Sequence, residues 1–172
     1  MIIQMEKFRV NSEDRIGIIG VNGAGKTTLV NILSQRLEPD EGLVKLYVRY
    51  SYISQIEPPD NKIISSEMAS KFGVAGIWSE DMSGGEKTRF KIAESFGNDS
   101  QIIFADEPTS NVDREGIELM EGWFAEYRGA VLLISHDRSL LNKICNKILD
   151  IEDGRVNLYN GNYDKYRLQK AQ

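Results

Sequence analysis

The residues best suited to chemistry in this sequence are a glycine-rich run, Gly20-Val21-Asn22-Gly23-Ala24-Gly25-Lys26-Thr27-Thr28. The run fits the phosphate-loop pattern G-x-x-x-x-G-K-[ST], whose backbone N–H groups wrap a phosphate chain. Arg15 to Ile19 before it reads as a short buried strand, and Leu29, Ile32, Leu33 and Leu37 after it fall on one face of a helix. Strand, loop and helix N-terminus together supply free donors and partial positive charge. Gly20, Asn22, Gly23, Ala24, Gly25, Lys26, Thr27 and Thr28 are therefore the expected phosphate-binding residues. Lys26 would place a point charge on the phosphates, and the Thr27 hydroxyl would ligate Mg²⁺.

Further groups suit the same chemistry. Asp106-Glu107 ends the apolar run Gln101 to Ala105. Asp106 would hold the metal and Glu107 would polarise an attacking water. His136 follows a second apolar run, Ala130 to Ile134, and Gln55 follows the run Arg49 to Ile53. In a parallel sheet such strand ends share one edge with the phosphate loop. His136 could then donate to a phosphate or hold the water, and the Gln55 amide could reach the metal or the water. Ser83-Gly84-Gly85-Glu86 before a helix is a second anion-binding geometry. One loop already holds a phosphate chain, so this second site makes sense if it closes over the nucleotide of a partner domain.

The elements that must position these groups alternate. Strands are expected at 15–19, 43–48, 49–53, 101–105 and 130–134, with a hairpin over 148–151 and 155–159, and Met1 to Val10 could hold a further strand bearing Ile3, Met5 and Phe8. Helices are expected after the phosphate loop, over 63–72, from Ser83, from Asp113 to Tyr127, up to Cys145, and from Gly161 onward. That alternation gives an α/β domain with a mostly parallel sheet. The chain has 172 residues, enough for one domain with a core, and its net charge of −5 carries no global nucleic-acid signature. A lone cysteine, Cys145, excludes a disulfide framework or a cysteine metal cluster. No run approaches the roughly 18 apolar residues of a membrane helix. The expectation is a cytoplasmic protein without direct membrane insertion.

In order, GVNGAGKTT, Gln55, MSGGE, IIFADEP, SNVD and ISHD resemble the motifs of the ATP-binding cassette (ABC) ATPases over nearly the whole chain. The resemblance implies a P-loop NTPase fold of the ABC type, with an antiparallel β portion and a short helical subdomain. It implies a head-to-tail dimer, or a tandem pair of cassettes, with two ATP·Mg²⁺ at the interface. It makes Ser83, Gly84, Gly85 and Glu86 the signature that contacts the opposite γ-phosphate. Gln55 becomes the Q-loop residue, a catalytic and metal contact, Asp106 the metal acid and Glu107 the catalytic base. Ser110 to Asp113 become the D-loop and His136 the switch histidine.

Within that superfamily the chain is most similar to the first cassette of ABC-F proteins of the antibiotic-resistance type. The Glu86 ending of the signature, the Ser135-His136-Asp137-Arg138 stretch and the Gly161-Asn162-Tyr163 tail carry that likeness. So does the short segment from Ile56 to Asp81, where transporter cassettes carry a larger helical subdomain. The resemblance implies ATP hydrolysis on the ribosome with protection against ribosome-targeting drugs; the alternative is the ATP-binding subunit of a membrane transporter. Residues 1–172 are expected to be one ABC domain, with 56–100 as the inserted helical and signature subdomain and 160–172 as the start of a linker between cassettes. The pattern departs at the signature, where Met82 replaces the usual leucine, and upstream, where no counterpart is expected for the strand whose aromatic stacks on adenine; Phe8 could replace it only if the chain folds back.

Overall fold

A computed structural model describes residues 3–172. Its sheet runs in the order β2-β3-β4-β1-β5-β6. β1 (Arg15–Gly20), β2 (Tyr50–Ile53), β3 (Ile102–Asp106), β4 (Ala130–Ile134) and β5 (Lys147–Glu152) pair in parallel. β6 (Arg155–Asn160) turns back antiparallel on β5. β3 and β4 are continuous apolar runs because both of their faces are covered.

The side-chain alternation of the strands sorts two cores. Ile16, Ile18, Phe104, Leu132 and Leu149 face α1 (Lys26–Leu33) and its Leu29 and Val30. Ile103, Ala105, Val131 and Leu133 face the opposite side. That side is covered by α3 (Gly84–Gly97), α4 (Arg114–Glu126), α5 (Arg138–Ile144) and α6 (Tyr163–Lys170). α2 (Ser66–Phe72) joins them through Phe72, whose ring meets Phe96 of α3 and Trp123 of α4.

Four expectations change. Residues 43–48 form no strand: Leu43 and Tyr47 are exposed, and no ladder runs along the segment among the described residues. An extended segment without a neighbour leaves its amides to water, so its alternation of apolar residues alone does not make a strand. α1 stops at Leu33, because Gln35 takes a φ of 61° that turns the chain away and leaves Leu37 exposed. The helix expected from Ile63 starts at Ser66, capped by the Ser65 hydroxyl, which accepts from the Met68 N–H. Ile63 instead pairs with Ile77 across an antiparallel bridge. Finally, the N-terminal segment contributes one bridge, Gln4 to Arg155, in place of a strand, although Met5, Phe8 and Val10 do pack on the α1-side core. Met1 and Ile2 lie outside the described residues.

Cys145 ends α5 and is buried against the sheet. Burial pushes its thiol up to about 12. The nucleophilic thiolate is therefore suppressed in the folded protein near pH 8, while an unfolded thiol ionises freely. A disulfide reagent at pH 8 is expected to leave Cys145 unmodified until denaturant is added. Prompt labelling in native buffer would contradict this packing.

Candidate functional site

The sheet topology brings the sequence-predicted groups to one edge. β1, β2, β3 and β4 are parallel, so the phosphate loop, Gln55, Asp106-Glu107 and His136 all follow C-terminal strand ends. They converge on a cleft of about 440 Å³ lined by Gly23, Lys26, Gln55, Asp106, Glu107 and His136 among others. Asn22, Gly25, Thr27 and Thr28 also line it. Gly20 and Ala24 line the adjoining cleft of about 910 Å³ on the α6 side.

The loop's shape follows from its sequence. Gly23 and Gly25 sit at φ 81° and 105°, in the left-handed region that side chains disfavour. Gly25 is the N-cap of α1 and provides no side-chain cap, so the first-turn amides of α1 remain available as donors to an anion. The Lys26 ammonium donates to the carbonyls of Gly20 (2.7 Å) and Val21 (3.1 Å), which stations its charge at the loop mouth.

Across the cleft, the Thr27 hydroxyl donates to Asp106 Oδ2 at 2.9 Å. A hydroxyl and a carboxylate oxygen side by side are hard donors of the kind Mg²⁺ takes. No cluster of three or more His, Cys, Asp or Glu side chains suited to a metal occurs among the described residues. The set thus fits a Mg²⁺ that also takes phosphate oxygens and water, not one caged by protein alone. The Gln55 amide N–H donates to the Ser110 hydroxyl at 2.7 Å, and both residues line the cleft.

Glu107 is held unusually. Its φ is 52°, a left-handed conformation that costs a non-glycine residue about 1–2 kcal/mol. Its N–H donates to the Ile134 carbonyl at 2.9 Å, which locks the ends of β3 and β4 together. The side chain is 14% exposed, and Oε1 lies 3.1 Å from His136 Nε2. That approach lacks the alignment of a hydrogen bond, so Oε1 is a buried acceptor without a donor among the described residues. Burial raises the Glu107 carboxyl above its ordinary value, and the imidazole pulls the other way. A carboxylate with raised proton affinity and an open lone pair is a competent general base.

Ser83-Gly84-Gly85-Glu86 does not join this cleft. Ser83 caps α3, its hydroxyl accepting from the Glu86 N–H at 3.2 Å. A Cβ at Gly84 would lie 3.3 Å from Asn111 Cβ, whereas one at Gly85 would meet open space. Phe8 lines neither cleft, being packed on the core. The Ser110 contact to Gln55 joins residues 55 positions apart, a pairing only the fold reveals.

A family model described as "ABC transporter" matches residues 3–72. The erythromycin resistance ATP-binding protein MsrA of Staphylococcus epidermidis is 34% identical over 163 residues, 92% of this chain and 33% of that protein. The ribosome protection protein VmlR of Bacillus subtilis is 31% identical over 162 residues, 91% of this chain and 30% of that protein. The chain thus spans about a third of the length of these curated relatives. Among solved structures, the dimeric post-hydrolysis ATP-binding cassette MJ0796 bound to ADP and Pi superposes with a TM-score of 0.72 at 19% identity. The match covers 89% of this chain and 88% of that one, a likeness of fold.

Lys26→Ala removes the charge at the loop mouth. Charged hydrogen bonds are worth about 1.5–3 kcal/mol, so affinity for a nucleoside triphosphate should fall roughly ten- to a hundredfold. Titration calorimetry with ATP checks this, and unchanged affinity would remove the loop from phosphate binding.

Proposed function

We propose that this chain, an ATP-binding cassette of the ABC type, hydrolyses ATP as one half of a paired ABC-F-type ATPase that acts on the ribosome. One observation carries the catalytic part. Lys26, Thr27, Gln55, Asp106, Glu107 and His136 line a single cleft, and Ser83 to Glu86, the remaining anion-binding turn, are not among its lining residues. A turn built for phosphate but outside the chain's own cleft suits the nucleotide of a facing cassette. The solved cassette to which the fold is similar is a dimer, which is compatible with pairing.

In this reading the loop amides and Lys26 bind the β- and γ-phosphates. Thr27 and Asp106, with Gln55, would hold a Mg²⁺, which would supply neutralisation of phosphate charge. Glu107 takes a proton from the attacking water while a new O–P bond forms at the γ-phosphorus and the bond to the bridging oxygen breaks, releasing ADP. His136 orients Glu107 and the γ-phosphate.

The ribosomal part rests on relatives. MsrA and VmlR, whose names speak of erythromycin resistance and ribosome protection, match nine-tenths of the chain. ATP-driven protection of the ribosome against an inhibitor is the activity this supports. No helix among the described residues is long and apolar enough to cross a membrane.

Glu107→Gln keeps the side chain's size and removes the base. Turnover should fall by a factor of about 10²–10⁴ with ATP still bound. Wild-type turnover would take Glu107 out of the base role. With MgATP, the Glu107→Gln form should sediment with ribosomes. Recovery with a membrane protein and not with ribosomes would replace this reading by that of a transporter subunit.

A further inference from the structure

Lys91 is a charged residue on the buried face of α3. Its neighbours Phe90, Ile92 and Ala93 are fully buried, and Lys91 itself is only 7% exposed. Burial lowers its proton affinity below the ordinary lysine value, so a charged lysine here needs partners. It has two. Nζ donates to the Ser54 carbonyl at 2.7 Å and lies 5.8 Å from the centre of the Trp78 ring.

Ser54 immediately precedes Gln55 and shapes the turn that presents it. Its hydroxyl accepts from the N–H groups of Ile56 and Glu57 at 3.1 and 3.2 Å. Lys91 therefore grips the backbone of the Gln55 turn from α3. Eight residues back along the same helix, about 12 Å at 1.5 Å per residue, stands the Ser83 cap.

We propose that Lys91 is a positioning residue that ties Gln55 to α3, so that the nucleotide cleft of this chain and the Ser83–Glu86 turn move together. The inference rests on the paired-ATPase reading above. A ligand that draws Gln55 inward shifts the Ser54 carbonyl, and the Lys91 ammonium carries that shift into the helix whose N-terminus serves the facing nucleotide. The fixed stem of Lys91 transmits displacement because it is packed, unlike a surface lysine free to swing.

The test uses Lys91→Met, which keeps an unbranched stem near Trp78 but loses the donor, and Lys91→Arg, which restores a cation. In a Trp123→Phe background the emission of Trp78 reports on α3. MgATP should change that emission in the parent and in Lys91→Arg. In Lys91→Met the change should fall by at least half, although ATP affinity stays within about threefold. A full response in Lys91→Met would overturn the proposal.

A second measurement needs no tryptophan replacement. Gln55→Ala and Lys91→Met should each lower kcat with little change in KM, and the double variant should be no slower than Gln55→Ala alone. Losses that multiply would show that Lys91 acts apart from Gln55 and would also overturn it. Failure of the unmutated chain to bind ATP would instead bring down the paired-ATPase reading, a result distinct from either.

Discussion

Parallel pairing of the strands is the constraint on which the site depends. Ile18 of β1 registers with Ile134 of β4, and Asp106 of β3 registers with that same Ile134. The phosphate loop, the acidic pair and His136 therefore leave the sheet at nearly the same level. Nothing in the local sequence of any one motif brings it near another. Hydrophobic burial of β3 and β4 on both faces fixes the order of the strands, and the order fixes the site.

Within that frame the edge proposed to carry catalysis is tense. Glu107 combines a left-handed backbone, a buried oxygen without a donor and a raised proton affinity. Each feature is unfavourable to the resting fold, and each suits a base that must stay close to an incoming water. The Glu107 amide bonded to Ile134 and the Thr27 hydroxyl bonded to Asp106 hold this edge in place from both sides. Such local strain persists only where surrounding packing over-determines it, and the fully buried β4 provides that packing.

Much of this was legible in the residues themselves. The glycine loop announces its own geometry, and apolar runs ending on Asp106 and on His136 announce strand ends. The helix expected from Asp113 to Tyr127 is α4, and its Met120 and Phe124 are buried. Other features were not legible, for physical reasons. The alternation over 43–48 imitates a strand, but a strand needs a neighbour to take its hydrogen bonds. The helix after the loop ends early because Gln35 adopts a positive φ that its side chain does not advertise. Lys91 looks like an ordinary helix lysine until the fold shows that its whole helix is buried there. The partnership of Gln55 with Ser110 joins two loops, and no local pattern encodes it.

The central claim is that this chain carries one complete phosphate cleft and the complementary turn for another. Specific ATPase activity measured against protein concentration tests it most directly. The account predicts that turnover per chain rises with concentration and then levels off, as two copies close on each other's nucleotides. Turnover per chain that is substantial and constant down to high dilution would contradict it, because a single molecule would then be sufficient.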